Sequence, residues 1–176
     1  MKYVFCSQRL AVQPVTEAEI QNIHEIFASN ADLLQLLDRE HDPRIHAEQF
    51  VFSRILPPNG ISNQMYNLTL RRKDTQSIVG LLGLYEGYPT AHIAYLGQLF
   101  LHTRYQGQGL GQEIYEQLEN YLRLRAIRAV RVGVALRNWN ALRFWIKRGF
   151  LHITGMSGDR NFSSQKHAFL ELQKKL

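Results

Sequence analysis

The chain is poor in cysteine, with Cys6 alone among 176 residues, so no intrachain disulfide can form. No apolar run is long enough to cross a bilayer, and residues 1–10 lack the long apolar stretch of a signal peptide. The simplest expectation is an unexported, cytoplasmic protein with no membrane role. Internal repeats, linkers and low-complexity tracts are missing too. No Gly-Lys-Ser/Thr sequence supplies a Walker loop, and no G-x-G-x-x-G with an acidic residue about 20 positions on marks a dinucleotide site. Acidic residues are in deficit, 15 against 21 basic, for a net charge of +6. Such a charge favours RNA or ribosomal proteins as partners. No aromatic–basic motif accompanies it, so a nucleic-acid partner is not expected.

What is present reads as one domain over residues 1–176. A hydrophobic content of 45% with 20% charged residues is ordinary for a packed core, and the length suits one core better than two. A short strand is expected at Arg9–Gln13. Thr16-x-x-Glu19 is a capping box that opens a helix to about Phe27. A second helix covers Ala31–Leu37, and a third starts at Pro43 and ends near Pro57–Pro58. Strands follow at Met65–Arg72, Ser77–Tyr85 and Ala91–His102. Leu110, Ile114, Leu118 and Leu122 repeat every four residues, the stripe of a helix of roughly four turns. A buried strand at Ala129–Leu136, a helix capped by Asn138 and ending at Gly149, and strands at Phe150–Met156 and His167–Gln173 complete an α/β chain with a mixed sheet.

The most informative stretch is Leu99–Gly111, LFLHTRYQGQGLG. An apolar strand runs into Gly107, Gly109 and Gly111 and then into a helix. Alternating glycines at such a junction bare a run of backbone N–H groups beside a helix N-terminus, a natural phosphate or pyrophosphate site. The loop reads Gln106-x-x-Gly109-x-Gly111. Further on stands Asn138-x-x-Ala141-x-x-Phe144-Trp145-x-Lys147-x-Gly149-Phe150. Together these blocks resemble the two motifs of the GNAT superfamily of acyl-CoA-dependent N-acetyltransferases, and with their connection they cover about a third of the chain.

The resemblance implies a mostly antiparallel central sheet flanked by helices, with two central strands splayed apart. It implies acetyl-CoA as cosubstrate and a primary amine as acceptor, with no metal. Pantetheine would enter the gap and pair with the strand edge at Leu99, Phe100 and Leu101. Pyrophosphate would rest on Gln106, Gly107, Gln108, Gly109, Leu110, Gly111 and Gln112. Asn138 would bond the pantetheine amides or simply cap its helix. Trp145 would lie along the pantetheine arm or pack in the core. Gly97 falls where a β-bulge would free an N–H to polarise the thioester carbonyl, or it is a glycine of no consequence. Pairing of two copies through the late strands would suit this fold.

Two positions depart from the family pattern. Gln98 stands where an acidic residue is usual, and Trp145 where a Tyr protonates the departing thiolate. Glu86 is then the first candidate base, weighed against a solvated strand end, with His92 and His102 behind it. Tyr105 and Tyr115 are the phenols at hand. The acceptor side is expected from Ala31–Arg54 and Tyr85–Tyr95, with Tyr85, Tyr88, His92 and Tyr95 as an aromatic mouth. Some of the arginines between Arg123 and Arg148 would meet the 3′-phosphate. The rival reading is a non-catalytic acyl-CoA-binding sensor or partner-binding module.

Overall fold

The computed structural model describes residues 4–37, 41–53, 55–161, 163 and 166–176. Eight strands form one sheet: β1 (Phe5–Cys6), β2 (Leu10–Pro14), β3 (Met65–Arg72), β4 (Ile78–Glu86), β5 (Ile93–Leu101), β6 (Ala129–Ala135), β7 (His152–Gly158) and β8 (Ala168–Lys175). Their spatial order is β1-β2-β3-β4-β5-β6-β8-β7. Only β5 and β6 run parallel. The helices are α1 (Ile20–Ser29), α2 (Ala31–Leu37), α3 (Pro43–Phe52), α4 (Leu110–Leu124) and α5 (Trp139–Lys147).

Alternation along the strands sorts side chains into two cores. Ile78, Leu81 and Phe100 pack with Ile23, Phe27, Leu34 and Phe50 of α1–α3. Leu82, Leu84, Ala94 and Leu96 pack on the other face with Leu110, Ile114, Leu118 and Leu122 of α4 and Trp145 of α5. The four-residue repeat of α4 is thus its buried stripe.

Two irregularities in the middle of the sheet prepare the site. The β5–β6 ladder pairs Ile93–Leu96 with Ala129–Val132 and then stops, though β5 runs on to Leu101 and β6 to Ala135. The two strands splay from there. On its other side, β5 shifts register against β4, so that Gly83 faces Gln98 but Leu84 faces Leu96. Gly97 is the extra residue, with no partner in either ladder.

Some expectations need correction. Thr16 and Glu19 do close a capping box, but over a single 3-10 turn, Glu17–Glu19, that leads into α1. The third helix stops at Phe52, because Ser53 is already extended (φ −101°, ψ 138°). Pro57 and Pro58, expected to terminate a helix, therefore belong to an irregular segment; the residue before a proline disfavours helix anyway. Arg54 and residues 38–40 of the expected acceptor-side stretch lie outside the described residues. The two-residue β1 carries too short a pattern to be read in advance.

Candidate active site

Two cavities open at the splay. The first, about 90 Å³, lies between Leu96–Phe100 of β5 and Val132–Ala135 of β6, and is closed by Leu33 and Leu37 of α2 and by Asn138, Ala141 and Trp145. The second, about 310 Å³, is lined by Ile55, Leu56, Pro57, Pro58, Met65, Gly83, Tyr85, Tyr88, Tyr95, Gly97 and Glu171. Gly97 lines both, so the bulge is the point where the cavities meet.

The glycine loop is built to present backbone. Gly107 and Gly109 have φ of +72° and +79°, values that side chains resist, and a Cβ at Gly107 would meet nothing within 4 Å. Gly111 brings α4 against α5, since a Cβ there would lie 3.5 Å from the Phe144 ring. Leu110, 1% exposed, anchors the first turn of α4 in the core. The open end of this 15-residue helix faces the loop, and its dipole favours an anion there.

The loop is held by side chains from elsewhere. The Gln106 amide does not face solvent: its Nε2 donates to Asn30 Oδ1 (2.9 Å) and to the Leu101 carbonyl (3.0 Å). Asn30, buried at the α1–α2 junction, donates to the same carbonyl (3.0 Å) and to the carbonyl of Ile26 (2.8 Å). Leu101 therefore ties the loop down rather than offering its carbonyl to a cofactor, while Leu99 and Phe100 line the gap. Gln108 Nε2 donates to the Arg104 carbonyl (2.8 Å), and its own carbonyl accepts from Arg9 (3.1 Å). Gln112 accepts from Arg148 (2.5 Å), whose guanidinium lies over the Phe144 ring. Arg148 is the basic residue of the Arg123–Arg148 series set beside the start of α4. Arg125 and Arg131 are engaged instead with Glu86 and with Gln173.

Arg9 and Asn30 escaped the sequence reading because each reaches the loop from far along the chain. Arg9 Nε and backbone N–H both donate to Glu113, as does the Ser7 hydroxyl (2.6 Å). Partial burial pushes the Glu113 carboxyl up, but these donors outweigh it and hold the group below its ordinary range.

In α5, Asn138 Oδ1 accepts from the Ala141 N–H (3.0 Å), so it caps the helix while lining the gap. Trp145 is 8% exposed and packs edge-to-face on Tyr115, Phe144 and Phe150, with one margin on the gap. Tyr115 is no proton donor to a thiolate: it is fully buried, and burial together with Glu119 pushes its phenol far up. Tyr105 carries the Arg104 guanidinium over its ring and lines neither cavity.

Glu86 is misplaced for a base, which corrects the sequence reading. On β4 it shares the α4 face with Leu82 and Leu84, whereas Gly83 and Tyr85 face the larger cavity. Both Glu86 oxygens accept from Arg125 Nε, at 2.9 and 2.8 Å. His92 and His102 line neither cavity either. His102 Nδ1 caps the 3-10 turn Thr103–Tyr105 by accepting from the Arg104 N–H, and burial with nearby Arg104 lowers its basicity. Gln98 sends its Oε1 to a buried position with no partner. Of the aromatic mouth, Tyr85, Tyr88 and Tyr95 stand edge-to-face (6.5 and 6.0 Å between centroids) and His92 does not take part. Glu171, which no motif marked, is the carboxylate of the larger cavity.

Among the described residues no helix is long and apolar enough to cross a membrane, and no three acidic, His or Cys side chains are grouped to hold a metal. No curated protein matches the chain. The chain is similar in structure to RimL, a ribosomal α-N-protein acetyltransferase solved in complex with coenzyme A, with a TM-score of 0.74 at 16% identity over 99% of this chain and 98% of that one. A Salmonella typhimurium acetyl transferase that modifies the N-terminal serine of a 50S ribosomal subunit protein superposes with a TM-score of 0.73 at 18% identity, covering 99% of each chain. An acetyltransferase from Thermus thermophilus gives 0.67 at 20% identity over 99% of this chain and 100% of that one. These likenesses establish the fold. The family model described as acetyltransferase (GNAT) family matches residues 30–150, well over half the chain and inclusive of both sequence blocks, and the chain belongs to that family.

Proposed function

We propose that the protein transfers the acetyl group of acetyl-CoA to a primary amine by direct attack within a ternary complex. The observation that carries this reading is the meeting of a narrow gap and a wider cavity at Gly97. Acetyl-CoA bound along the gap would bring its thioester to the bulge, where an amine in the larger cavity can reach it. Loop amides from Gly107 to Gly111 would hold the pyrophosphate, since the Gln106 N–H already donates to the Thr103 carbonyl, with Arg148 near the start of α4 as the adjoining cation. The strand edge at Leu99 and Phe100, with Asn138 and Trp145, would hold pantetheine.

Bound acetyl-CoA supplies an activated thioester. Gly97 N–H would polarise its carbonyl as charge builds on oxygen. Trp145 has no acidic proton and Tyr115 is buried in the core, yet a thiol with a pKa of about 8.5 is a tolerable leaving group unaided. The similar ribosomal-protein enzymes bring peptide α-amino groups within the acceptor class, beside small amines.

The test is calorimetric binding of acetyl-CoA to the protein and to Gly109→Glu, with thiol release followed across a panel of amines. Binding that Gly109→Glu removes, with thiol released by some amine, is expected. Binding without release from any amine would favour the non-catalytic acyl-CoA module, for which the neutral Gln98 speaks. Failure of the unaltered protein to bind would overturn the reading altogether.

A further inference from the structure

Given acetyl transfer in this cleft, we propose that Glu171 draws in the acceptor ammonium and takes its proton, and that the acceptor is a primary amine carried on an apolar body. Glu171 lies on β8, past the residues matched by the family model, and is the acidic residue among those lining the larger cavity. The sheet is hollowed around it. Its neighbours across the ladders are glycines on both sides, Gly133 on β6 and Gly155 on β7. A Cβ at Gly155 would lie 3.3 Å from Glu171 Oε2, and one at Gly133 only 2.7 Å from the Tyr95 hydroxyl. Larger residues at either place would crowd the carboxylate or the phenol. Gly83 and Gly97 extend the hollow to the bulge.

The carboxylate is only loosely engaged by the protein. Arg131 Nη1 stands 3.8 Å from Oε2, at the limit of an ion pair, while its Nε is engaged with Gln173 at 2.7 Å. The Glu171 side chain is 30% exposed, so protons taken from substrate can pass to water. Tyr95 stays a neutral phenol, because burial and then the charge of Glu171 raise its pKa. It can accept from or donate to the incoming nitrogen. The remaining wall is Leu56, Pro58, Met65, Tyr85 and Tyr88, which offers apolar surface and ring faces but no charge. An ammonium is attracted to such rings, and an apolar body fills the rest. A carboxylate-bearing acceptor has no partner on this wall and meets Glu171 instead.

The ammonium gives one proton to Glu171, which passes it to water. The neutral nitrogen adds to the thioester carbon, and the carbonyl oxygen takes negative charge beside the Gly97 N–H. Collapse breaks the C–S bond, and the second nitrogen proton leaves with the sulfur as free thiol. The product is an N-acetyl amine.

The experiment compares 2-phenylethylamine, which is protonated at neutral pH, with aniline, which is already neutral there. Glu171→Gln should lower kcat/KM for 2-phenylethylamine by about 10²-fold, the scale of a lost general base. Aniline should change little, and acetyl-CoA affinity measured by calorimetry should be preserved. Glu171→Asp, which keeps the charge, should recover part of the rate on the basic amine. Equal losses on both amines, no loss on either, or no recovery in Glu171→Asp would overturn the assignment. An unaltered protein that binds acetyl-CoA yet acetylates no amine defeats acetyl transfer itself, and this inference with it.

Discussion

The two halves of the cleft are built in opposite ways. The half proposed for the cofactor's pyrophosphate is the single stretch 106–112, with backbone amides as its polar groups. The half proposed for the acceptor gathers single residues from five separate places, 55–58, 65, 83–88, 95–97 and 171, and is mostly apolar. A phosphate recognised by successive N–H groups needs a fixed local backbone, and local backbone is written in consecutive residues. A pocket walled by side chains needs only that topology bring them together. One half is therefore legible in consecutive residues, and the other only in the fold.

That contrast can be broken by exchanging the effects of two glycine substitutions. Gly109→Glu places a carboxylate at a positive-φ position beside the helix start and should abolish measurable acetyl-CoA binding. Gly155→Ala should leave binding intact and press on the Glu171 carboxylate, lowering turnover by about 10-fold to 10²-fold, the scale of a misplaced reacting group. Comparable binding losses in both would show that the halves are not separable.

Asn30→Ala should sharpen the comparison by touching both. It deprives Leu101, Ile26 and Gln106 of partners, so stability should fall by about 1–3 kcal/mol. Acetyl-CoA affinity should fall with it as the loop loosens, read by thermal melting and by calorimetry. A smaller effect is expected at Glu113. Its folded pKa is lowered, so its stabilisation is present at neutral pH and is lost as pH falls from the ordinary glutamate range through that lowered value. Glu113→Gln should flatten this acid limb in pH-dependent melting. The smallest change is expected for Glu86→Gln. Turnover should be unaltered, because the ion pair with Arg125 lies across the sheet from the acceptor cavity; a large loss of kcat would restore Glu86 as the base.

The same contrast explains what could be read in advance. The loop, the α4 stripe, the Asn138 cap and the order of the major elements rest on short-range patterns, and each is found where those patterns set it. The Gly97 bulge lies where the family resemblance puts it, although the residues alone left a plain strand glycine equally open. Glu171 had no such mark: it is one polar residue in the alternation of β8, and its meaning depends on pairing with Gly133, 38 positions earlier by numbering. Glu86 looked right by position along β4 but alternates to the wrong face. Arg9 and Asn30 act on a loop more than 70 residues away, beyond any local pattern.

The place of β8 between β6 and β7 has a consequence in time. Strands β6 and β7 are both synthesised before it, yet neither pairs with the other. During synthesis β7 waits without a neighbour, and the outer edge of β6 stands open, until the later strand slides between them. The carboxylate of the acceptor cavity arrives with that strand. A nascent chain can thus complete its glycine loop before Glu171 is made, and the residue proposed to take the amine's proton is the last wall of its cavity to arrive.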